Sequence, residues 1–278
     1  RKGENRFVRE IAEDPLNARL HFQYALNASQ KGSPFLAYAE LKTAEYLGED
    51  QKQIEKHKAT FRRDVPDLKY MNHNQYFRFT SLTDEITSRA GNVSISILDV
   101  GGGQGQLATF LPNNYIYCLA EPAVNGISGT DLPFSDHEFD YVVSCHVLEH
   151  IPVDERSLFL DQLLSKSRYG VILLNPFHVE GANANDRLKL VIDVTNAQWA
   201  REHLECTLPK TDEIQEYAHE RGLQFHLRPN GTLTTSVALV FMDYFYGISK
   251  GGSEDWNKIN AFFNEKFVDI LDSDKYPT

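Results

Sequence analysis

A glycine-rich segment in the middle of the chain has the residue types and spacing of a ligand-binding turn. Residues 97–107 read Ile-Leu-Asp-Val-Gly-Gly-Gly-Gln-Gly-Gln-Leu, an apolar run that leads into four glycines. Glycine has no Cβ atom, so the backbone of such a turn can approach a ligand closely, and open α/β sheets bind ligands at the carboxyl ends of their strands. The segment therefore predicts a ligand-binding turn between a strand and a helix.

Two nucleotide-binding motifs can be compared with this turn. A phosphate-binding P-loop is excluded, because no Gly-Lys-Ser/Thr follows the glycines. The dinucleotide pattern G-x-G-x-x-G fails from Gly101, since residue 106 is Gln, whereas a frame that begins at Gly103 fits but starts two residues late. The turn alone therefore leaves a dinucleotide-dependent oxidoreductase open.

Three further motifs follow the turn. Glu121 comes at the end of the next apolar segment, where a carboxylate can accept both hydroxyls of a ribose. Residues 131–143 then read DLPFSDHEFDYVV, and residues 145–151 read CHVLEHI. Taken in this order, the four motifs resemble those of class I S-adenosylmethionine-dependent methyltransferases, specifically the methyltransferase type 11 group, over about residues 72–231.

The resemblance implies S-adenosylmethionine as cofactor, a Rossmann-like fold and a set of cofactor-binding residues. The turn that holds the methionine end would consist of Asp99, Gly101, Gly103, Gln104 and Gly105. Glu121 would bind the ribose, Asp131 and Leu132 would bind the adenine through a carboxylate and a backbone N–H, and the backbone of His146 would line the pocket. The span between Glu121 and Leu132 is short and lacks the usual acidic-small pair of this group.

Methyl transfer to an oxygen depends mainly on positioning, and a hydroxyl acceptor also needs a base. Histidine is the side chain best suited to this role near neutral pH. His150 and His178 follow predicted strands and are the predicted catalytic residues, while His203 lies on an insertion further along the chain. No metal site is predicted, because the spacing of Asp186 and Asp193 is undistinguished.

The segment beyond the fourth predicted strand favours one acceptor class. An insertion around residues 178–215 contains Glu-His and Leu-Pro, and Asn230-Gly231 follows it. This loosely resembles methyltransferases encoded with bacterial surface-glycan assembly, which implies O-methylation of a sugar hydroxyl on a glycan or glycan precursor. A lipid or quinone-type acceptor is the first alternative, and a non-catalytic binding or scaffold protein with a vestigial cofactor fold is the second.

Elements that position these residues can be predicted from periodicity. Apolar runs at 94–100, 115–119, 141–144, 171–174 and 223–227 alternate with helical stretches, which is typical of an α/β fold with a mostly parallel, Rossmann-like sheet and flanking helices. Residues 234–246 and 254–271 predict a helical C-terminus, without the antiparallel strand pair that normally ends the class I fold. Residues 69–278 are the predicted methyltransferase domain.

A small all-helical module is predicted ahead of that domain, over residues 1–68. Ala25, Ala37 and Ala44 are spaced as in one tetratricopeptide repeat, and small residues let two helices approach closely. A single repeat cannot bury both of its faces. The module is therefore expected to pack as a cap on the main domain or to bind a protein partner.

Composition and charge argue against several classes of protein. The chain has 278 residues, 41% of them hydrophobic, which is enough for a sizeable core. A net charge of −11 argues against nucleic-acid and anionic-membrane partners, and no apolar run reaches the length of a membrane span. Three cysteines without a CxxC indicate a reducing, cytoplasmic setting. The start at Arg1, with neither an initiator Met nor a visible signal peptide, favours a piece of a longer chain.

Overall fold

The computed structural model describes residues 6–91, 93–178, 184–229, 233–248 and 254–266. The chain forms two compact units that do not follow chain order. Unit 1 comprises the chain up to Pro66 together with residues 79–145 and 158–173. Unit 2 comprises residues 67–78 and 146–157 and the chain from Leu174 onward. The predicted division of the chain at residue 68 stays a prediction.

Within the described residues, four strands form one sheet, and its order is β2-β1-β3-β4. The strands are β1 (Ser96–Val100), β2 (Ile116–Ala120), β3 (Phe139–Cys145) and β4 (Ser167–Leu174). Strand β1 pairs in parallel with both β2 and β3, so that Leu98 lies opposite Cys118 on one side and Val142 on the other. Because β1 is central, its apolar run is buried on both faces. The predicted α/β, Rossmann-like class is confirmed.

Eleven α-helices lie in the described part of the chain. They are α1 (Arg6–Glu13), α2 (Ala18–Gln30), α3 (Pro34–Tyr46), α4 (Gln51–Asp64), α5 (His73–Ala90), α6 (Arg156–Lys166), α7 (Ala184–Thr195), α8 (Gln198–Cys206), α9 (Thr211–Glu220), α10 (Leu233–Asp243) and α11 (Glu254–Lys266). A π-helical turn, Tyr244–Ile248, follows α10. Among these described helices, none combines the length and the apolar character needed to cross a membrane.

The strand predicted at residues 223–227 is wrong. Residues 223–229 form no strand, and Leu223 and Leu227 are exposed to 41% and 47%. The Leu223 N–H instead donates to Ala218 O and closes the end of α9. An alternating apolar pattern forms a strand only where a neighbouring strand can pair with it. The Asn230-Gly231 motif lies outside the described residues.

Helix α3 covers the edge of the sheet at β2. Residues 36–44 are buried, and two polar side chains of this helix bond to the β2 region. Thr43 Oγ1 accepts a hydrogen bond from Leu119 N at 3.0 Å, and Lys42 Nζ donates to Tyr115 O at 2.7 Å. An edge strand leaves backbone groups unpaired, and α3 satisfies one in β2 and one just before it. Burial lowers the pKa of Lys42 to about 8.

The N-terminal helices form the predicted helical segment, and α2 packs on α3. The three small residues that suggest a tetratricopeptide repeat, Ala25, Ala37 and Ala44, are all buried. Their burial follows from close helix packing of any kind. The helical character is confirmed, whereas the tetratricopeptide-like identity stays a prediction.

Candidate functional site

The glycine turn lies directly after β1, at the carboxyl edge of the sheet in unit 1. Gly103 has φ +56 and Gly105 has φ +72, a left-handed conformation that side-chain-bearing residues rarely adopt. At Gly105 an added Cβ would also lie 2.2 Å from Ala39 Cβ on α3. Gln104 is exposed at the tip, and Gly101 N–H donates to Ala120 O at 2.8 Å. The turn thus needs glycine both for its backbone conformation and for its contact with α3.

After this turn the predicted helix is replaced by a short 3-10 helix, Gln106–Thr109. Its last residue bonds back through Thr109 Oγ1 to Gln106 O, and Pro112 follows soon after. Because proline disfavours helical backbone in the residue before it, an α-helix cannot extend through this point without distortion. The glycine turn therefore leads into one tight turn of helix only.

Asp99 is a buried carboxyl behind the glycine turn. It accepts a hydrogen bond from Tyr117 Oη at 2.8 Å. Burial raises its pKa to about 7, with the Tyr117 hydrogen bond opposing the rise and the nearby charge of Glu121 adding to it. At neutral pH the carboxyl is therefore partly protonated, and a cation bound beside it would favour its charged form.

Glu121, which follows β2, has its carboxylate on the glycine turn. Oε2 accepts from Gly103 N at 3.1 Å, and Oε1 accepts from Ala123 N at 3.1 Å. Its backbone N–H donates to Asn125 Oδ1, and Asn125 donates in turn to Glu40 on α3. The structure therefore brings Glu121 and Gly103 together, and a side-chain network ties that loop to α3.

The two residues predicted to hold an adenine ring are differently placed. Asp131 is exposed and Leu132 is buried. The Leu132 N–H donates to Gln162 Oε1 on α6 at 3.2 Å, so the donor expected for the adenine already has a partner. Gln162 was not predicted, because nothing in the local sequence indicates that α6 reaches this backbone.

Unit 2 contains a second polar cluster, built from two Glu-His pairs. Glu149 and His150 form part of a 3-10 helix, Leu148–His150, and Glu202 and His203 lie on α8. His150 Nδ1 lies 3.0 Å from Glu202 Oε2, and His203 Nε2 lies 3.8 Å from Glu149 Oε1. The two imidazoles face each other, with their Nε2 atoms 3.3 Å apart. Each histidine therefore contacts the glutamate of the other pair.

Glu149 is the fully buried member of this cluster. Its Oε2 accepts a hydrogen bond from Asn175 Nδ2, whereas none of the described residues donates a hydrogen bond to Oε1. His146 Nδ1 lies 3.0 Å from Oε1 but outside hydrogen-bond geometry. Burial lowers the pKa of His146 to about 4 and that of His203 to about 4, so both rings are neutral at pH 7.

The predicted catalytic residues and His146 occupy different settings in unit 2. His150 belongs to the Glu-His cluster. His178 is held through its backbone, since its N–H donates to Pro209 O at 2.8 Å and it forms a short bridge with Lys210. The His146 N–H donates to Leu174 O at 2.7 Å, and the residue has φ +57.

Sequence reasoning did not assign the cluster as a unit. The sequence places His203 on an insertion without a catalytic or binding role, and it predicts no role for Glu149, Asn175 and Glu202. The available signal was the repeated Glu-His dipeptide, at 149–150 and again at 202–203. A dipeptide is too common to indicate that two such pairs meet in the fold.

Residues 71–228 match the family model described as a methyltransferase domain, and this match spans more than half of the chain. The chain belongs to the methyltransferase-domain family. It is an S-adenosylmethionine-dependent methyltransferase, and S-adenosylmethionine is its cofactor. None of the curated proteins compared with this methyltransferase matches it.

Several solved structures resemble the methyltransferase at low identity. A protein from Anabaena variabilis, described as a methyltransferase from an antibiotic biosynthesis pathway, is 14% identical, with 70% of this chain and 88% of that chain covered and a TM-score of 0.45. The phospholethanolamine N-methyltransferase 2 of Haemonchus contortus is 14% identical, with coverages of 75% and 58% and a TM-score of 0.43. The YcgJ protein of Bacillus subtilis is 13% identical, with coverages of 68% and 82% and a TM-score of 0.41.

Proposed function

We propose that unit 1 binds S-adenosylmethionine at the glycine turn. The methionine end would lie on Asp99, Gly101, Gly103, Gln104 and Gly105, and Glu121 would accept the ribose hydroxyls. The observation that carries this proposal is the 3.1 Å contact between Glu121 Oε2 and Gly103 N. It puts a carboxylate beside a glycine backbone that a ligand can approach closely. The cofactor fits a buried acidic group, because its ammonium and sulfonium charges would favour the ionised form of Asp99.

The adenine is proposed to lie at Asp131 and Leu132. Two observations bear on this placement. Asp131 is exposed, so its carboxylate is free to turn toward an exocyclic amine. The Leu132 N–H has to exchange Gln162 Oε1 for a ring nitrogen, a change of one side-chain partner on α6. His146, in unit 2, stays a predicted pocket residue through its backbone, and its N–H donates to Leu174 O.

The reaction proposed is O-methylation of a sugar hydroxyl on a glycan or glycan precursor. The cofactor supplies a methyl group on a sulfonium, and transfer to oxygen requires that the acceptor lose its proton. His150 is the better supported base, because donation from Nδ1–H to Glu202 leaves the Nε2 lone pair as proton acceptor. His178 is the second proposed base, on its position after β4.

Fewer observations support the remaining proposals, which concern the alternative acceptor, a protein partner and the cellular location. A lipid or quinone-type acceptor fits the same chemistry, but no specific contact favours it. A protein partner at the N-terminal helices would have to use surfaces other than the buried face of α3, and a tetratricopeptide-like identity and a cytoplasmic location have no contact that supports them. Because the chain is a methyltransferase, the non-catalytic scaffold alternative is not retained.

Isothermal calorimetry with S-adenosylhomocysteine tests the cofactor site. We expect binding by the unchanged protein and a loss of at least about tenfold in affinity in Gly103→Val, because a β-branched residue is strained at φ +56. Glu121→Ala should lose affinity as well. Gly170→Ala is the matched control, since its added Cβ would meet no atom within 4 Å. Unchanged affinity in both site variants would place the cofactor elsewhere.

Turnover on glycan acceptors tests the reaction. Methyl incorporation into a panel of oligosaccharides and nucleotide sugars should fall by about 10²–10⁴-fold in the variant that removes the true base. Full turnover in both His150→Ala and His178→Ala would refute both base assignments. Methylation of phenolic or lipid acceptors alone would refute the sugar acceptor while leaving the cofactor site intact.

A further inference from the structure

We propose that Glu149, His150 and His203 form a binding site for one divalent transition-metal ion of the zinc class. Each residue presents one ligand atom, and the three atoms lie within 4.8 Å of one another. They come from two separate segments of unit 2, the 3-10 helix at 148–150 and helix α8. The site goes beyond the proposed methyl transfer and does not depend on which acceptor is methylated, but a bound ion excludes His150 as the base and leaves that role to His178.

Distances between the ligand atoms suit one tetrahedral ion. The two Nε2 atoms are 3.3 Å apart, and His203 Nε2 is 3.8 Å from Glu149 Oε1. Ligand atoms about 2.1 Å from a tetrahedral zinc ion lie about 3.4 Å from each other. These two separations differ from that value by a few tenths of an ångström, and the third, between the ligand atoms of His150 and Glu149, is at most 4.8 Å.

Tautomers of the two histidines favour a cation between them. A carboxylate at His150 Nδ1 holds the proton on that nitrogen, so Nε2 presents a lone pair to His203. Only one proton can lie between the two Nε2 atoms, whereas a metal ion accepts both lone pairs at once. A carboxylate behind a metal-ligating imidazole is the usual arrangement at protein zinc sites, and Glu202 occupies that position here.

Glu149 supplies the second, independent observation. Its side chain is fully buried. Oε1 lies 3.0 Å from His146 Nδ1 and 3.8 Å from His203 Nε2, and neither contact has hydrogen-bond geometry. A buried carboxylate oxygen without a donor is costly, and coordination to a cation removes that cost. Asn175 holds the other oxygen, Oε2, so the carboxylate cannot rotate away without losing that bond.

Ligand chemistry selects the class of metal. Two imidazole nitrogens and one carboxylate oxygen suit Zn²⁺ and neighbouring transition metals, whereas Mg²⁺ and Ca²⁺ prefer sets made of oxygen only. Three protein ligands leave a fourth position for water or an acceptor oxygen. With an ion bound, His150 Nε2 is a ligand and is not available as a base. This proposal departs from the sequence prediction, which contained no metal site.

Cobalt binding tests the site directly. The full chain, without an affinity tag and treated with a chelator, is titrated with Co²⁺, and visible absorption reports tetrahedral coordination. We expect one Co²⁺ per chain, displaced by Zn²⁺. His203→Ala and Glu149→Gln should each weaken binding at least tenfold. His219→Ala is the matched control, because His219 is an exposed histidine on α9, and it should bind as the unchanged protein does.

Two outcomes would overturn the proposal. One is the absence of tetrahedral Co²⁺ absorption at one equivalent, and the other is equal affinity in the unchanged protein and in His203→Ala. Far-UV circular dichroism checks that each variant is folded, and Glu149→Gln keeps the side-chain volume should His203→Ala fail to fold. S-adenosylhomocysteine calorimetry on the same samples separates the two proposals, since cofactor binding without Co²⁺ binding refutes the metal site alone.

Discussion

The glycine turn of unit 1 and the Glu-His cluster of unit 2 are built in opposite ways. The turn is one continuous segment, its geometry is set by backbone φ angles, and its main partner, Glu121, directly follows the next strand. The cluster joins side chains that are about fifty residues apart in sequence and depends on buried polar contacts. A site made of backbone tolerates few residue types, whereas a site made of side chains depends on partners that local sequence cannot reveal.

The largest effect on the turn is expected from Gly105→Ala. The added Cβ would lie 2.2 Å from Ala39 Cβ, at a position with φ +72. Steric overlap and left-handed strain together should lower the free energy of unfolding by about 4 kcal/mol. Urea denaturation measures the change. Gly48→Ala, with φ +93 and open space around it, isolates the backbone strain and should cost only about 1 kcal/mol; equal losses in both variants would show that α3 does not constrain the turn.

Asp99 should make stability depend on pH. Burial raises its folded-state pKa from 3.8 to about 7, so the folded protein holds the proton over this range while the unfolded chain releases it. Its contribution to stability is therefore complete below pH 3.8 and is lost as the pH rises toward 7. The loss between pH 5 and pH 7 should be about 2 kcal/mol. Denaturation of the unchanged protein and of Asp99→Asn measures it, because the variant should lack this component; parallel pH profiles would contradict the raised pKa.

Glu202→Gln tests whether Glu202 fixes the tautomer of the His150 ring in the Glu-His cluster. Replacing the carboxylate at His150 Nδ1 removes the acceptor that fixes the tautomer of that ring. Co²⁺ affinity should fall about tenfold, as is typical when a partner behind a ligating imidazole is lost. The spectrum at saturation should stay tetrahedral, because Glu202 is not itself a ligand. A changed coordination spectrum would instead make Glu202 a direct ligand.

Gln162→Leu should have the smallest effect on binding and tests whether the adenine lies at Leu132. The substitution frees the Leu132 N–H from its partner on α6. If this N–H binds the adenine, affinity for S-adenosylhomocysteine should rise about twofold to fivefold, because no hydrogen bond has to be exchanged on binding. Unchanged affinity would place the adenine away from Leu132.

The edge of the sheet shows a second limit of sequence reasoning. The short span between Glu121 and Leu132 is visible in the sequence. The element that covers the edge strand β2 is not. The structure puts α3 there, with Thr43 bonded to the backbone of β2. A helix predicted as part of a separate module is thus buried against the sheet, and that pairing depends on contacts between residues 76 positions apart.

The sequence by itself determined the four strands, the glycine turn and the position of Glu121, because apolar runs and glycines at strand ends act through neighbouring residues. Only the tertiary structure decided that α3 covers β2, that residues 223–229 form no strand, that Gln162 takes the Leu132 N–H and that two Glu-His pairs meet. Each of these depends on burial and on partners distant in the chain. Polar side chains become a site only when the fold removes them from water together.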